Sequence, residues 1–364
     1  MARILVGLSG GVDSAVAAAL LQRQGHDVVG AYMKNWINEE NIVGNCPWME
    51  DIEDARAVAE KLGIEFRVVN LMKDYRDRVV KYLLSGYESG VTPNPDVMCN
   101  REMKFGVFLD YALEHGFEAV ATGHYCRRRE NADGTFDLLR GVDGNKDQSY
   151  FLALVNQYQL EHARFPVGEL TKPEVRELAQ ELDLPNATKK DSQGICFIGE
   201  IKMSDFLKNF VPDSPGNIVT VDGKVVGRHE GLHLYTLGQR KGHGVASPRH
   251  GVAYVVVAKN PERNELVVGY DEPETPGLYT KSCTLMELSF PNGELSGEVR
   301  VLAQPRYRTS AEPATLVISE DGKSAELVFD DPQRALTPGQ ICAIYDLEDQ
   351  ALVVGAVFAE IHPE

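Results

Sequence analysis

Short apolar runs and amphipathic segments alternate along the first half of the chain. Four runs have the length and apolar content of buried strands: 3–8, 27–33, 65–71 and 117–123. Four segments with helical periodicity each end at or directly before a glycine: 14–24, 50–63, 74–90 and 102–116. A further helix is expected at 172–185, where Pro173 suits the first turn. This alternation predicts a parallel sheet covered by helices on both faces.

The pattern changes after about Phe210, where helical periodicity is replaced by short β-rich runs between turn residues. Asp222–Gly223 and Asp321–Gly322 predict hairpins. The proline-containing stretch 270–279 predicts a boundary inside this β-rich half. The predicted domains are an α/β domain over 1–208, a small β-rich central domain over 209–275 and a C-terminal β-barrel over 276–364.

Composition narrows the class of protein. The 364 residues are 43% hydrophobic and 25% charged, as in globular proteins of two or three domains. The sequence has no apolar stretch near the roughly 20 residues of a membrane helix and no secretory signal at its start, so we expect a cytoplasmic protein without membrane contact.

The net charge of −17 argues against non-specific coating of nucleic acid, but it leaves room for a local basic surface. Basic residues cluster at Arg127–Arg129, Lys189–Lys190, Arg240–Lys241 and Arg306–Arg308. Each such cluster is more commonly a solvated surface than a binding patch.

The six cysteines are scattered and form neither a C-x-x-C pair nor a Cys/His cluster with zinc spacing. They are Cys46, Cys99, Cys126, Cys196, Cys283 and Cys342. In a reducing compartment the expectation for any one of them is a reduced thiol, several being buried.

The stretch "SGGVDS", residues 9–14, lies between the first predicted strand and the first predicted helix. Glycines at a helix N-terminus let backbone N–H groups approach an anion, and Ser9 and Ser14 add hydroxyl donors. Asp13 is unusual beside phosphates and needs a bridging Mg²⁺ or a bound amine. The stretch lacks the lysine of a Walker A loop and does not match G-x-G-x-x-G. A plain strand–helix turn is the alternative.

This stretch resembles the pyrophosphate loop of the PP-loop ATPases, which cleave ATP between the α and β phosphates. The resemblance implies a Rossmann-like domain of the adenine nucleotide α-hydrolase type, with ATP and Mg²⁺ as cofactors and Asp13 as a possible magnesium ligand. The ATP-binding residues it implies are Gly7, Leu8, Ser9, Gly10, Gly11, Val12, Asp13, Ser14, Met33 and Gly123. Met33 could otherwise be a core residue.

Further motifs follow in a fixed order. They are "TPNPDVMCN" at 92–100, "ATGHY" at 121–125, "NKDQSYFL" at 145–152, "DSQGICFIG" at 191–199, "TLGQRKG" at 236–242 and "PRYR" at 305–308. Together they resemble the bacterial tRNA-specific 2-thiouridylases over essentially the whole chain. The resemblance implies that ATP adenylates the C2 oxygen of the wobble uridine, after which a cysteine persulfide replaces this oxygen by sulfur.

The same resemblance assigns the remaining site residues. Cys196 would carry the persulfide, Cys99 would be the partner nucleophile, and Asp96 is a candidate acid or base. The residues implied to contact the target base or the tRNA are Asn94, Pro95, Asp96, His124, Lys146, Asp147, Gln148, Arg306, Tyr307 and Gln340. A turn-capping role remains open for Asp96 and a structural role for His124. The implied partners are tRNA and a sulfur-donor protein, either a cysteine desulfurase or a relay carrier.

Two other functions stay open at the level of sequence. An amide-forming PP-loop ligase would use the same loop, but the chain has no recognisable glutaminase segment, and such a ligase would not need two cysteine-bearing motifs. A nucleotide-gated tRNA-binding scaffold would need no catalytic thiol, but the intact loop with Asp13 argues against it.

Overall fold

The computed structural model describes residues 1–36, 48–190, 203–293 and 295–362. Within these ranges the chain forms an N-terminal α/β domain, a small central sheet and a closed C-terminal β-barrel. The predicted fold class is confirmed. Among these residues we find no helix whose length and apolarity would suffice to span a bilayer.

The N-terminal domain is built on a parallel sheet whose order is β3-β2-β1-β4-β7, with β5 and β6 forming a separate hairpin. Its strands are β1 (Arg3–Gly7), β2 (Asp27–Lys34), β3 (Glu65–Asn70), β4 (Ala119–Ala121), β5 (Cys126–Glu130), β6 (Phe136–Arg140) and β7 (Ala163–Arg164). β1 lies between β2 and β4. The chain adds β2 and β3 on one side of β1 and then crosses over to add β4 and β7 on the other side, so the strand order reverses at β1. In open parallel sheets, ligands bind in the crevice at such a reversal.

Helices cover both faces of this sheet. They are α1 (Val12–Arg23), α2 (Trp48–Leu62), α3 (Met72–Tyr75), α4 (Lys81–Glu88), α5 (Pro95–Met98), α6 (Phe108–Glu114), α7 (Gln157–Glu161), α8 (Lys172–Glu181) and α9 (Met203–Leu207). Successive strand residues alternate between the two faces: Ile4 and Val6 pack with α1 and α8, whereas Leu5 packs in a second cluster with Phe105 and Phe108.

Two predicted helices differ in detail from the prediction. The helix expected at 74–90 extends from Met72 to Glu88 but contains a π-helical turn at Arg76–Val80. The helix expected at 102–116 is α-helical only over Phe108–Glu114, because its first part lies in a π-helical segment, Cys99–Val107, which is interrupted by the non-helical Gly106. π-Helical turns are uncommon and occur frequently at functional sites. The spacing of apolar residues in the sequence does not distinguish a π-helical turn from an ordinary α-helix.

The second half contains two β structures. Its strands are β8 (Gly216–Thr220), β9 (Val225–His229), β10 (Tyr254–Asn260), β11 (Glu265–Tyr270), β12 (Tyr279–Ser289), β13 (Gly297–Gln304), β14 (Glu312–Ile318), β15 (Ser324–Arg334), β16 (Ile341–Tyr345) and β17 (Leu352–His362). The first four form a sheet in the order β10-β11-β8-β9, and the others close into a barrel in the order β12-β15-β14-β13-β16-β17. The two "DG" pairs connect β8 to β9 and β14 to β15.

The barrel packs directly on the N-terminal domain and shares its core. Ile341, Tyr345 and Leu352 of the barrel belong to the same apolar cluster as Cys99 and Phe105. The backbones come so close at Gly355 that a Cβ there would overlap the carbonyl group of Ala153. The barrel is therefore packed firmly against the N-terminal domain rather than tethered to it by a linker alone.

Candidate active site

The phosphate loop follows β1 directly and ends at α1. Gly10 has φ of +78°, and a Cβ on it would lie 2.7 Å from the Asp51 carbonyl oxygen, so a side chain is excluded there. The Ser14 hydroxyl donates to the Gly11 carbonyl at 3.0 Å and accepts from the Ser9 N–H at 3.2 Å. The Leu8 N–H donates to the Ala31 carbonyl at 2.8 Å and ties the loop to β2.

The other predicted ATP-binding residues lie around this loop. Gly123 follows β4, and a Cβ on it would lie 2.7 Å from the Ser14 backbone nitrogen. Met33 is near the end of β2, and its Cε lies 3.3 Å from the position of a Cβ built on Gly7. Val12 is buried at the start of α1. The structure thus brings the ends of β1, β2 and β4 together at the N-terminus of α1.

Asp13 has partners that the sequence did not indicate. The Lys172 ammonium donates to Asp13 Oδ1 at 2.7 Å, and the Tyr125 hydroxyl donates to the same oxygen at 2.8 Å. The Lys172 side chain is 13% exposed and the Asp13 side chain 31%, so this ion pair is partly desolvated. A lysine from α8 therefore supplies the positive charge that the loop itself lacks. Lys172 was missed because a single lysine at a helix start has no recognisable pattern.

A second residue that was not predicted, Asn186, binds the backbone of the phosphate loop. Asn186 is buried and its Nδ2 donates to the Gly10 carbonyl at 2.9 Å. Three residues later, the Lys189 ammonium pairs with Asp51 at 2.8 Å and Asp54 at 2.6 Å on α2. These contacts hold the loop against α2. Lys189 was predicted as part of a basic cluster, and in the structure its charge is paired with these two aspartates of α2.

The segment with the predicted target-base residues forms the helix α5. Asn94 caps it, because its Oδ1 accepts from the Val97 N–H at 3.2 Å, and Pro95 occupies the first turn. Asp96 lies inside the helix, so the capping role considered for Asp96 belongs to Asn94. Cys99 follows as the first residue of the π-helical segment and is fully buried.

The cysteines can be compared only in part, since Cys46 and Cys196 lie outside the described residues. Burial raises the pKa of Cys283 to about 12, and burial also raises the pKa values of Cys126 and Cys342 well above their usual range. Thiols that remain protonated are poor nucleophiles. These three cysteines therefore have the environment of structural residues.

His124 lies at the end of the β4 segment, near the phosphate loop. Its Nδ1 is 2.7 Å from the Thr122 hydroxyl oxygen and its Nε2 is 3.4 Å from the Lys104 ammonium. Burial, with a smaller contribution from the charge of Lys104, holds the pKa of His124 well below its usual value. The ring is therefore neutral at physiological pH.

Asp147 and Gln148, predicted to contact tRNA, are bound within the protein. The buried Asp147 carboxylate pairs with Arg140 at 2.7 Å and accepts from the Ser149 hydroxyl at 2.9 Å. Gln148 Oε1 accepts from the Tyr125 N–H at 3.0 Å. The backbone N–H of the neighbouring Lys146 donates to Asp143 at 2.9 Å. These contacts give the segment a defined shape next to the "ATGHY" strand end.

The predicted tRNA residues of the barrel also form contacts between domains. Arg306 donates to the Leu237 carbonyl and the Thr337 hydroxyl, both at 3.0 Å, and burial lowers its pKa. The Gln340 amide donates to the Thr92 carbonyl at 2.7 Å. The Tyr307 ring lies 4.3 Å from the ring of Phe151. The structure thus joins the barrel to the segments that carry the predicted base-contacting residues.

Three family models match consecutive parts of the chain. Their descriptions are a tRNA methyl transferase HUP domain over residues 2–200, a tRNA methyl transferase PRC-barrel domain over 204–270 and an aminomethyltransferase β-barrel domain over 280–357. A tRNA-specific 2-thiouridylase MnmA from Akkermansia muciniphila is 61% identical over 363 residues, which cover 100% of both chains. The chain belongs to the tRNA-specific 2-thiouridylase family.

Other relatives support this membership. The MnmA protein of Alkaliphilus oremlandii is 47% identical over 94% of both chains, and that of Neisseria gonorrhoeae is 49% identical over 95% of this chain and 92% of its own. The 2-thiouridylase family therefore matches all three parts of the structure in order. Neither the amide-forming ligase nor the non-enzymatic scaffold accounts for this full-length relationship.

Proposed function

We propose that this protein is an ATP-dependent tRNA 2-thiouridylase that acts on the wobble uridine. The full-length relationship to tRNA-specific 2-thiouridylases carries the proposal. The arrangement of the site agrees with it, since Cys99 belongs to the same apolar cluster as Met33, whose side chain lies beside Gly7 at the start of the phosphate loop. The products are 2-thiouridine in tRNA, AMP and pyrophosphate.

The first step uses the phosphate loop. Residues 7–14, Met33 and Gly123 bind ATP so that the backbone N–H groups at the start of α1 face its phosphates. The uridine C2 oxygen attacks the α-phosphate and pyrophosphate leaves. The C2 oxygen, a poor leaving group, then departs as part of AMP in the next step.

Mg²⁺ fits this site only together with ATP. The described residues contain no cluster of three or more His, Cys, Asp or Glu side chains that could hold a metal. Mg²⁺ is commonly bound by one or two carboxylates plus substrate phosphates, so Asp13 alone is sufficient as the protein ligand. When bound there, the ion would neutralise charge on the phosphates.

The second step uses two cysteines. The terminal sulfur of a persulfide on Cys196 attacks C2 and AMP leaves. The Cys99 thiolate then attacks the inner sulfur, so that a Cys99–Cys196 disulfide forms and the new sulfur remains on the base. The disulfide must be reduced before the next cycle. Because Cys99 is fully buried, the proposal requires its segment to open when tRNA binds.

The remaining predicted residues serve the tRNA. Asn94, Pro95 and Asp96 contact the flipped base, and Asp96 handles its proton. His124, Lys146, Asp147, Gln148, Arg306, Tyr307 and Gln340 form or support the tRNA surface. A sulfur-donor protein, a cysteine desulfurase or a relay carrier, loads Cys196. Because tRNA is the substrate, the cytoplasm is the proposed place of action.

A comparison of cysteine variants tests the proposal. Cys196→Ser should still release pyrophosphate from ATP in the presence of tRNA, but mass spectrometry of the tRNA should detect no 2-thiouridine. Cys99→Ser should also lose the product, because the persulfide sulfur cannot be released. Cys46→Ser is the matched control and should thiolate normally. Normal thiolation by Cys196→Ser would refute the assigned sulfur carrier.

A further inference from the structure

Asn35 is a buried asparagine whose amide has no hydrogen-bond partner among the residues that the structure describes. The residue is 2% exposed, and neither Oδ1 nor Nδ2 has a partner within the described part of the chain. Burying a polar group without a partner costs free energy, and native proteins rarely leave both ends of an amide unpaired. Such a group calls for an explanation, and a missing ligand is one of the few available.

Two other buried asparagines of the N-terminal domain show the contrast. Asn100 and Asn186 each have an unpaired Oδ1, but their Nδ2 groups donate at 2.8 Å to Phe151 and at 2.9 Å to Gly10. Both therefore have a visible structural role. Asn35 shows no such role among the described residues, although it is at least as well buried.

The position of Asn35 relates it to the phosphate loop. Gly7, the last residue of β1, pairs with Ala31 of the neighbouring strand β2. Asn35 lies four residues beyond Ala31, about 13 Å further toward the carboxyl edge of the sheet. The phosphates of a bound ATP belong at the loop, and its base is separated from them by the ribose. A base on the β2 side of the loop therefore reaches the end of β2.

Met33 strengthens this placement, because its Cε lies beside Gly7 at the start of the loop. Met33 is a predicted nucleotide contact and precedes Asn35 by two residues. The end of β2 thus carries an apolar side chain and, two residues further along the chain, a buried amide with a donor and an acceptor. That combination suits a flat heterocyclic base.

We propose that the side-chain amide of Asn35 binds the adenine base of ATP. Its Oδ1 accepts from the exocyclic amino group, and its Nδ2 donates to the adjacent ring nitrogen, as asparagine does when it reads adenine in DNA. Guanine presents a carbonyl where adenine has its amino group, so the same contact selects against GTP. The proposal rests on the proposed ATP-dependent function and adds the residue that chooses the nucleotide.

The test compares Asn35→Leu with the wild-type protein in calorimetric binding of three nucleotides. Wild type should bind ATP at least about tenfold more tightly than GTP or purine riboside triphosphate, which lacks the amino group. Asn35→Leu should bind ATP about tenfold more weakly and lose the preference for ATP. Its melting temperature without nucleotide should equal or exceed that of wild type, because an unpaired buried amide is removed. Asn131→Ala, in the β5–β6 loop, is the control for nucleotide binding.

Several results would overturn the assignment. Equal binding of ATP and purine riboside triphosphate by wild type would do so without any variant. Unchanged ATP affinity in Asn35→Leu, or weaker ATP binding with the preference retained, would also contradict it. A higher KM for tRNA with unchanged ATP affinity would assign Asn35 to the target base instead. If wild type bound no ATP at all, the proposed function itself would fail.

Discussion

Asp13 places a carboxylate in an anion-binding loop, at the start of α1. Without a positively charged partner, this carboxylate would repel phosphates. Lys172 and Tyr125 both donate to its Oδ1, so the charge at this point is balanced before any nucleotide arrives. The pair lies in a partly desolvated setting, where a hydrogen bond between charged groups is stronger than one on the surface. The function of Asp13 therefore depends on Lys172.

Replacing Lys172 by methionine should impair adenylation. The variant leaves the Asp13 charge uncompensated beside the phosphates. Loss of a hydrogen bond between charged groups changes a rate or binding constant by roughly tenfold to hundredfold. We expect tRNA-dependent pyrophosphate release to fall by about this factor. Lys61→Met is the control, because its 2.7 Å ion pair with Asp183 is exposed. An unchanged rate for Lys172→Met would mean that Lys172 does not serve the loop.

At the scale of elements, the residues that follow the strands form the site, and the strands determine where these residues lie. β4 is three residues long, but it delivers Gly123 against the start of α1. The approach is so close that a Cβ at Gly123 would lie 2.7 Å from backbone atoms of both Asp13 and Ser14. The spacing between β4 and α1 is thus set by the absence of a side chain.

Gly123→Ala should therefore separate these two elements and weaken ATP binding. Overpacking of this kind costs about 1–3 kcal/mol, which corresponds to roughly tenfold in affinity if the loop shifts with α1. Titration calorimetry with ATP would measure the effect. Gly144→Ala is the matched control, since a Cβ there meets nothing within 4 Å. Equal affinities of both variants would contradict the proposed packing role.

At the scale of the whole molecule, the central sheet and the barrel are joined to the segment that carries Cys99. Gln340 of the barrel holds the Thr92 carbonyl, and Lys259 of β10 donates to the Gly90 carbonyl at 3.3 Å. Burial lowers the pKa of Lys259 to about 8. The contact between the central domain and the N-terminal domain therefore contains an ammonium group that is costly to bury.

Lys259 should give the stability of the protein a pH dependence. Below pH 8 the lysine is protonated in both states, and the folded state carries the full cost of the buried charge. Between pH 8 and the usual pKa near 10.5 the folded state loses its proton first, so this cost disappears as the pH rises. Lys259→Met should accordingly raise the melting temperature at pH 7 by an amount equivalent to about 1–3 kcal/mol.

The gain from Lys259→Met should shrink toward pH 10, and thermal unfolding of both proteins at pH 7 and pH 9.5 would measure it. The exposed Lys323→Met serves as the control, with no gain at either pH. A gain that stays constant with pH would show that side-chain packing, rather than the charge, causes the change in stability.

The sequence by itself determined that the first half of the chain is an α/β domain, that the second half is β-rich, and that residues 9–14 form a phosphate loop. The spacing of apolar residues and the turn residues are local properties, so β1 to β4, most of the longer helices and the two "DG" hairpins could be predicted within a few residues. The strands β5, β6 and β7 were not predicted. The loop at residues 9–14 was recognisable because its strand, glycines and helix are adjacent in the chain. The order of the later motifs was enough to suggest the family.

Only the tertiary structure decided what surrounds these motifs. Lys172 reaches Asp13 across 159 positions, and Asn186 reaches Gly10 across 176. It also decided that the barrel shares a core with the Cys99 segment and that Arg306 and Gln340 join domains. Such contacts leave no local pattern, because any lysine or asparagine of similar reach would look the same in the sequence. Packing alone selects which of them meet the loop.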